Sequence, residues 1–266
     1  MSSLLEELLA DLAAESAALR AVVAELSEEQ WRTPTPAEGW DVATSIAHLA
    51  WTDEAAVAAA AAATGDAAAW DALVLEAIAD MNGVVDKAAL AGGAVAPADL
   101  IARWDAARVG LAEALRRTEA AGLKLPWFGP PMSAASMATA RFMETWAHGL
   151  DVRDGLGVTA ERTDRVRHVC HLAVRTRGYA YSVHEREAPS SDIRVELTSP
   201  SGASWEWGPQ DAEQSVTGSA WDFARLATKR IHRDDTDLVA TGPDADEWLD
   251  IVQAFAGPSG KGRDRA

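Results

Sequence analysis

Apolar side chains recur every three or four residues through most of positions 1–157, and this periodicity constrains the fold more than any other feature of the chain. Between residues 3 and 26 it is carried by Leu5, Leu8, Leu9, Leu12, Leu19, Val22, Val23 and Leu26. Such spacing places the apolar side chains on one face of an α-helix. Alanine, leucine and glutamate, which are frequent here, are strong helix formers. The segment is therefore predicted to be one long amphipathic helix.

Three further long helices are predicted from the same periodicity and from residues that begin or end helices. Asp41 is expected to cap a helix that runs to about Thr64, where a Thr-Gly-Asp sequence interrupts the pattern. A third helix fits residues 98–120. Ser133 is expected to cap a fourth, which ends at Gly155-Leu-Gly157. Together with the first helix, these segments predict a helix bundle over residues 1–157.

Shorter segments of this region are predicted from weaker patterns. Ser27 and Gln30 have the spacing of a capping box and predict a short turn of helix. Residues 67–80 are predicted to form a shorter helix. Gly92-Gly93 and Pro97 are interpreted as a loop, because glycine and proline commonly interrupt regular structure.

Beyond residue 160 the pattern changes to one typical of an α+β domain. Residues 161–187 remain helical in pattern, and alternating β-branched residues then predict strands. The predicted strands are Ile193–Thr198, Ser204–Trp207, Val216–Ser219 and Leu238–Gly242, and the helices between and after them are Ala220–Arg230 and Ala245–Ala256. We therefore predict a mainly α protein with a smaller α+β part: a helix bundle (1–157), a C-terminal α+β domain (158–256) and a disordered tail (257–266).

Composition excludes several classes of function. The formal net charge is −17 over 266 residues, so no basic surface for nucleic acid is indicated, and binding to an anionic membrane is disfavoured. The N-terminal segment lacks the features of a signal peptide, and no apolar run is long enough to span a bilayer. The single cysteine, Cys170, forms no intramolecular disulfide, which fits a reducing compartment. We expect a cytoplasmic protein that acts on a small molecule.

Glu144 and His148 are separated by one helical turn, so their side chains lie on the same helix face and can hold one metal ion. His48, on another predicted helix, supplies a third ligand. Two histidines and one carboxylate leave coordination positions open, as in catalytic zinc sites, although nickel, iron or manganese also accept such ligands. Alternatively, Glu144 and His148 form a common contact on a helix surface, and His48 is a structural residue.

Two residues near the candidate ligands have open roles. Asp151, three residues after His148, either orients a ligand imidazole or is a helix-end residue. Arg141 either binds an anionic group of a substrate or neutralises Glu144. A second cluster, His168, Cys170 and His171, contains metal-binding residue types but is interpreted as a helix surface.

The segments Gly39-Trp-Asp-Val-Ala-Thr-Ser-Ile-Ala-His48-Leu, Trp127-Phe-Gly-Pro-Pro-Met-Ser133 and Arg141-Phe-Met-Glu144-Thr-Trp-Ala-His148-Gly-Leu-Asp151 resemble the mycothiol-dependent maleylpyruvate isomerase family. This family belongs to the DinB-like metal-binding superfamily. The resemblance covers the first 155 residues well and the remainder less distinctly. It implies a DinB-like four-helix bundle that holds one divalent metal, usually zinc, through His48, Glu144 and His148.

The resemblance also implies a low-molecular-weight thiol such as mycothiol as a co-substrate. The leading hypothesis is a metal-dependent enzyme that activates this thiol for isomerisation or S-transfer on a small electrophilic substrate. The alternatives are a metalloenzyme of secondary metabolism or hydrolysis that needs no thiol, and a metal-binding protein without catalysis. The C-terminal domain is expected to contribute specificity, through basic residues such as Arg225 or Arg230.

Overall fold

The computed structural model describes residues 3–81 and 83–266. The chain divides into two compact units, the first ending at Thr159 and the second beginning at Ala160. The predicted fold class is confirmed: a DinB-like helix bundle is followed by a smaller α+β unit. The finer domain limits predicted from the sequence, and the disorder of the tail over 257–266, stay predictions.

The first unit is helical, and its four long helices match the four segments predicted from apolar periodicity. Its helices among the described residues are α1 (Leu4–Val23), α2 (Glu28–Trp31), α3 (Val42–Ala63), α4 (Ala68–Ala79), α5 (Val84–Gly93), α6 (Pro97–Ala120) and α7 (Ala134–Leu156). The predicted caps are confirmed as well. Ser27 and Gln30 form a capping box on α2, and Asp41 and Ser133 accept hydrogen bonds from the first turns of α3 and α7.

The core of the bundle is built from leucines and large aromatics around α3. A cluster of buried side chains includes Leu19, Val23, Trp31, Val42, Ile46, Leu49, Leu100, Trp104 and Val152. Alanine predominates along α3, where small side chains permit neighbouring helices to pack closely. The apolar faces of α1, α3, α6 and α7 thus meet in one core, and polar side chains that lie between α3 and α7 are buried with it.

The interpretation of Gly92-Gly93 as a loop was wrong, because both glycines belong to α5. A Cβ atom on Gly93 would lie 2.9 Å from the backbone nitrogen of Thr44, and one on Gly92 would lie 3.0 Å from the Cβ of Ala47. The glycines therefore allow α5 to pack directly on the first turns of α3. Their role is close helix contact rather than chain reversal.

The second unit joins short helices to a four-stranded sheet. A 3-10 turn (Asp164–Val166) is followed by α8 (Arg167–Arg175), α9 (Arg177–Val183), β1 (Ile193–Thr198), β2 (Ser204–Trp207), β3 (Gln214–Ser219), α10 (Ala220–Ala227), β4 (Val239–Thr241) and α11 (Pro243–Ile251). The strand order is β2-β1-β3-β4, with β1 and β3 parallel and the other pairs antiparallel. The predicted strands β1 and β2 are confirmed and pair as an antiparallel hairpin, and α10 and α11 end earlier than predicted, at Ala227 and Ile251.

No helix in the described parts of the chain is both long and apolar enough to cross a bilayer. The cytoplasmic location stays a prediction.

Candidate metal centre

Two helices carry the three candidate ligands. His48 lies on α3, two turns after the Asp41 cap, whose Oδ1 accepts a hydrogen bond of 2.7 Å from the Thr44 nitrogen. Glu144 and His148 lie one turn apart on α7, which begins where the Ser133 hydroxyl accepts from the Ser136 nitrogen at 3.1 Å. Each cap thus fixes where its ligand-bearing helix begins.

The structure brings His48, Glu144 and His148 together. One carboxylate oxygen of Glu144, Oε2, lies 3.2 Å from His48 Nε2 and 3.4 Å from His148 Nε2. The candidate ligand atoms all lie within 4.8 Å of one another. Two ligand atoms that are each ~2.1 Å from a tetrahedral zinc ion lie about 3.4 Å apart. The donor types and their spacing therefore fit one divalent ion, and metal binding by these residues stays a prediction.

The protonation states of this cluster also fit a cation. Burial lowers the pKa of the His48 imidazole from 6.5 to about 4, against the opposing effect of Glu144. Burial acts to raise the pKa of Glu144, but hydrogen bonds with His148 and His48 outweigh it and hold this pKa well below its usual 4.5. A neutral imidazole and an ionised carboxylate are the forms that bind metals.

Trp40 forms an aromatic wall beside the two imidazoles. Its ring stacks on that of His148, with centroids 5.4 Å apart and planes at 21°, and is tilted against that of His48 at 5.1 Å. The indole Nε1 donates a hydrogen bond of 3.1 Å to Asp86 Oδ1 on α5. Because Gly93 lets α5 approach α3, this helix can hold the indole over the ligands. Sequence reasoning found Trp40 as part of a family motif but assigned it no place in the site.

Asp151 and Arg141 have different surroundings. Asp151 is buried, and its Oδ2 lies 3.3 Å from His148 Nδ1, on the opposite side of the ring from Glu144. A carboxylate at this nitrogen can fix the orientation of a ligand imidazole. Arg141 is also buried, and its guanidinium donates to Asp53 and Thr52 on α3. Its charge is therefore paired with Asp53.

His168, Cys170 and His171, interpreted from the sequence as a helix surface, form no metal cluster in the described structure, and the interpretation as surface was wrong for Cys170, which is buried. The one group of three or more histidine, cysteine or carboxylate ligands that the described residues bring together is His48, Glu144 and His148. Cys170 is fully buried, its thiol donates to the Ala220 carbonyl at 3.3 Å, and burial raises the pKa of this thiol. His171 accepts a hydrogen bond of 3.2 Å from Trp207 Nε1.

Arg225 and Arg230, suggested as specificity residues, lie at the end of α10 and beyond it. The Arg225 guanidinium is 3.7 Å from Asp222 on the same helix, and Arg230 donates to the Thr228 carbonyl at 2.5 Å. Their contribution to specificity stays a prediction.

Four long helices with a His-Glu-His set between two of them define the helical unit as a DinB-like bundle. The family model described as the mycothiol maleylpyruvate isomerase N-terminal domain matches residues 12–153, which include all three candidate ligands. The chain belongs to the mycothiol-dependent maleylpyruvate isomerase family. A second model, described as wyosine base formation, matches residues 189–241 of the α+β unit. That match covers too little of the chain to assign a family.

Two curated relatives come from Mycobacterium tuberculosis. The uncharacterized protein MT0041 of strain CDC 1551 / Oshkosh is 52% identical over 254 residues, which cover 96% of this chain and 97% of the relative. The uncharacterized protein Rv0036c of strain ATCC 25618 / H37Rv matches with the same identity and coverage. The similarity extends through both units, so these relatives have the same domain composition.

Two solved structures share the fold. The crystal structure of the mycothiol-dependent maleylpyruvate isomerase superposes with a TM-score of 0.60 at 18% identity, covering 92% of this chain and 98% of that one. A histidine-to-alanine mutant of the same enzyme gives a TM-score of 0.59 with the same identity and coverage. At this level of identity the comparison establishes the fold and leaves the reaction open.

Proposed function

We propose that this protein is a divalent-metal-dependent enzyme, with zinc as the first candidate, that uses a mycothiol-like low-molecular-weight thiol in isomerisation or S-transfer on a small electrophilic substrate. The observation that carries the proposal is the convergence of His48 Nε2 and His148 Nε2 on one oxygen of Glu144, at 3.2 and 3.4 Å. Membership of a family named for mycothiol and maleylpyruvate isomerisation supports the thiol and the reaction class.

The residues around the cluster support a preformed site. A bound divalent metal would lower the pKa of a coordinated thiol, so that the thiolate is available near neutral pH. His48, Glu144 and His148 would hold the ion, and Asp151 Oδ2, 3.3 Å from His148 Nδ1, would keep that imidazole in its ligand orientation. The Trp40 ring packs against both imidazoles, stacked on His148 and tilted against His48.

The number of ligands favours catalysis over storage. The cluster has three members within the described residues. Three protein ligands are typical of catalytic zinc sites, which keep a position open for water or substrate, whereas structural sites are closed by four. Such a site would leave a coordination position for a thiol co-substrate.

The thiol of such a reaction has to come from outside the protein. Cys170 is the chain's one cysteine. It is fully buried in the second unit, its pKa is raised by burial, and its hydrogen-bond partner is a backbone carbonyl. A buried thiol of raised pKa is a poor nucleophile. An external thiol is thus required if the reaction forms a bond to sulfur.

The metal is tested by elemental analysis of protein purified under metal-replete conditions. Wild type is expected to carry about one zinc per chain, and His48→Ala and Glu144→Ala to carry far less, because two ligands leave an incomplete site. His232→Ala, which alters a partly exposed histidine of the second unit, is the matched control and is expected to keep the metal. Absence of stoichiometric metal from wild type would refute the metal site.

The thiol is tested by turnover of maleylpyruvate with metal-loaded protein, with and without mycothiol. The rate of turnover is expected to depend on mycothiol, and turnover is expected to be lost in Glu144→Ala. A rate that is the same without thiol would refute thiol dependence and favour the thiol-independent metalloenzyme. Metal binding without turnover of any electrophile of this class would favour a binding protein.

A further inference from the structure

A buried ion pair joins the two helices that carry the candidate ligands. Arg141 Nε on α7 lies 3.0 Å from Asp53 Oδ1 on α3, and both side chains are 3% exposed. Arg141 precedes Glu144 by three residues, and Asp53 follows His48 by five. The pair therefore lies within about one and a half helical turns of a ligand on each helix.

The contact also reaches the backbone of a ligand residue. Arg141 Nη2 donates to the Thr52 hydroxyl at 2.5 Å, and this hydroxyl donates to the His48 carbonyl at 2.7 Å. One guanidinium thus engages a carboxylate and a hydroxyl of α3 with two different nitrogens. Two directional contacts from a planar group specify the axial position of one helix against the other more sharply than non-directional aliphatic packing does.

Stability alone does not account for this pair. Removing two charges from water is costly, and well-packed apolar residues of similar volume commonly give a protein as stable or more stable. What an apolar pair does not supply is orientation. A metal site depends on orientation, because ligand atoms must be held to within about 0.5 Å of their working positions.

We infer that Asp53 and Arg141, with Thr52 as the link, are positioning residues that hold α3 and α7 in the register at which His48 meets Glu144 and His148. This inference rests on the proposed metal site. Arg141 then acts on the ligands through the helix pair, and its buried guanidinium is not a group that receives substrate.

The test separates stability from ligand geometry. The double variant Asp53→Leu/Arg141→Met removes both charges and puts apolar side chains in their place. Its thermal unfolding midpoint without metal is expected to stay near that of wild type, and its zinc dissociation constant, from competition with a chromophoric chelator, to rise by about 10- to 100-fold. The visible absorption spectrum of the Co2+-loaded variant is expected to differ from wild type, because that spectrum reports ligand geometry.

The control is the neighbouring, partly exposed ion pair on the same turn of α3. Glu54 accepts two hydrogen bonds from Arg103 on α6, at 2.7 and 2.6 Å, and neither residue belongs to α7. Glu54→Leu/Arg103→Met makes the same chemical change one residue away. It is expected to leave the zinc dissociation constant and the Co2+ spectrum as in wild type.

Two further variants keep the inference testable if the double variant does not fold. Thr52→Val removes the hydroxyl link with little change of volume, and Arg141→Lys keeps the charge but loses the two-point contact. Each is expected to weaken zinc binding by severalfold. Unchanged zinc affinity and Co2+ spectrum in the variants that fold would overturn the inference. A wild type that binds no zinc would instead overturn the proposed function.

Discussion

The close approach of α5 to α3 predicts that replacing Gly93 by alanine lowers the stability of the protein, whereas the same replacement at Gly110, on α6, raises it. Gly93 ends α5, and a Cβ atom there would lie 2.9 Å from the Thr44 nitrogen, 3.0 Å from its Cα and 3.1 Å from its Oγ1. The first two of these atoms are backbone within a capped helix, so they cannot rotate away. Gly93→Ala therefore has to push α5 off the first turn of α3.

The size of the effect follows from two opposing contributions. Overpacking of this kind costs about 1 to 3 kcal/mol. Replacing a helical glycine by alanine returns at most about 1 kcal/mol, and less at the last residue of a helix. We expect Gly93→Ala to lower the free energy of unfolding by about 1–2 kcal/mol.

Gly110→Ala is the comparison. Gly110 lies inside α6, and the nearest atom to its added Cβ is Val57 Cγ2 at 3.7 Å, an ordinary contact. This variant is expected to gain about 0.5–1 kcal/mol. Urea denaturation followed by far-UV circular dichroism measures both variants. If Gly93→Ala were as stable as wild type, or more stable, the reasoning that steric contact with Thr44 requires the glycine would be refuted.

Three further predictions concern a cap, a thiol and acidity. Asp41→Ala removes the side chain that caps α3 and should lower stability by about 1 kcal/mol in urea denaturation, whereas an unchanged midpoint would show that the cap is dispensable. Cys170, fully buried, should react with an aromatic disulfide reagent only as fast as the second unit unfolds, and rapid reaction of the native protein would contradict its burial. In metal-free protein the pKa of His48 is about 4 when folded and 6.5 when unfolded, so the unfolded state binds more protons between these values. Stability should therefore fall as the pH is lowered from about 6.5 to 4, and less steeply in His48→Gln; equal slopes would contradict a buried neutral imidazole.

Local patterns were sufficient to predict the long helices and the strands. Apolar periodicity and capping residues act within a few positions of the chain, so α1, α3, α6 and α7 were predictable, as were the strands β1 and β2. Helix α5 was missed because glycine was interpreted as a residue that interrupts regular structure. Here it serves a contact with α3, some fifty residues earlier in the sequence, and no local pattern contains that information.

The candidate site was predictable only in part for the same reason. Glu144 and His148 share a helix face, so their proximity follows from spacing. His48 was added by residue type and by a family motif. Trp40, held by Asp86, and the pair of Asp53 with Arg141 depend on how three helices pack, and the sequence alone did not reveal Asp53 as the partner of Arg141.

The pair of His48 and Glu144 joins residues 96 positions apart. During synthesis α3 leaves the ribosome long before α7, so the nascent chain can form the helix that bears His48 but not the contact itself. Closure of so long a loop is entropically costly and comes late in folding. An ion with three ligands drawn from both ends of this loop would bind the finished bundle and not its parts. Its free energy of binding would therefore add to the stability of the completed unit, and metal starvation would appear first as a shorter lifetime of the protein in the cell.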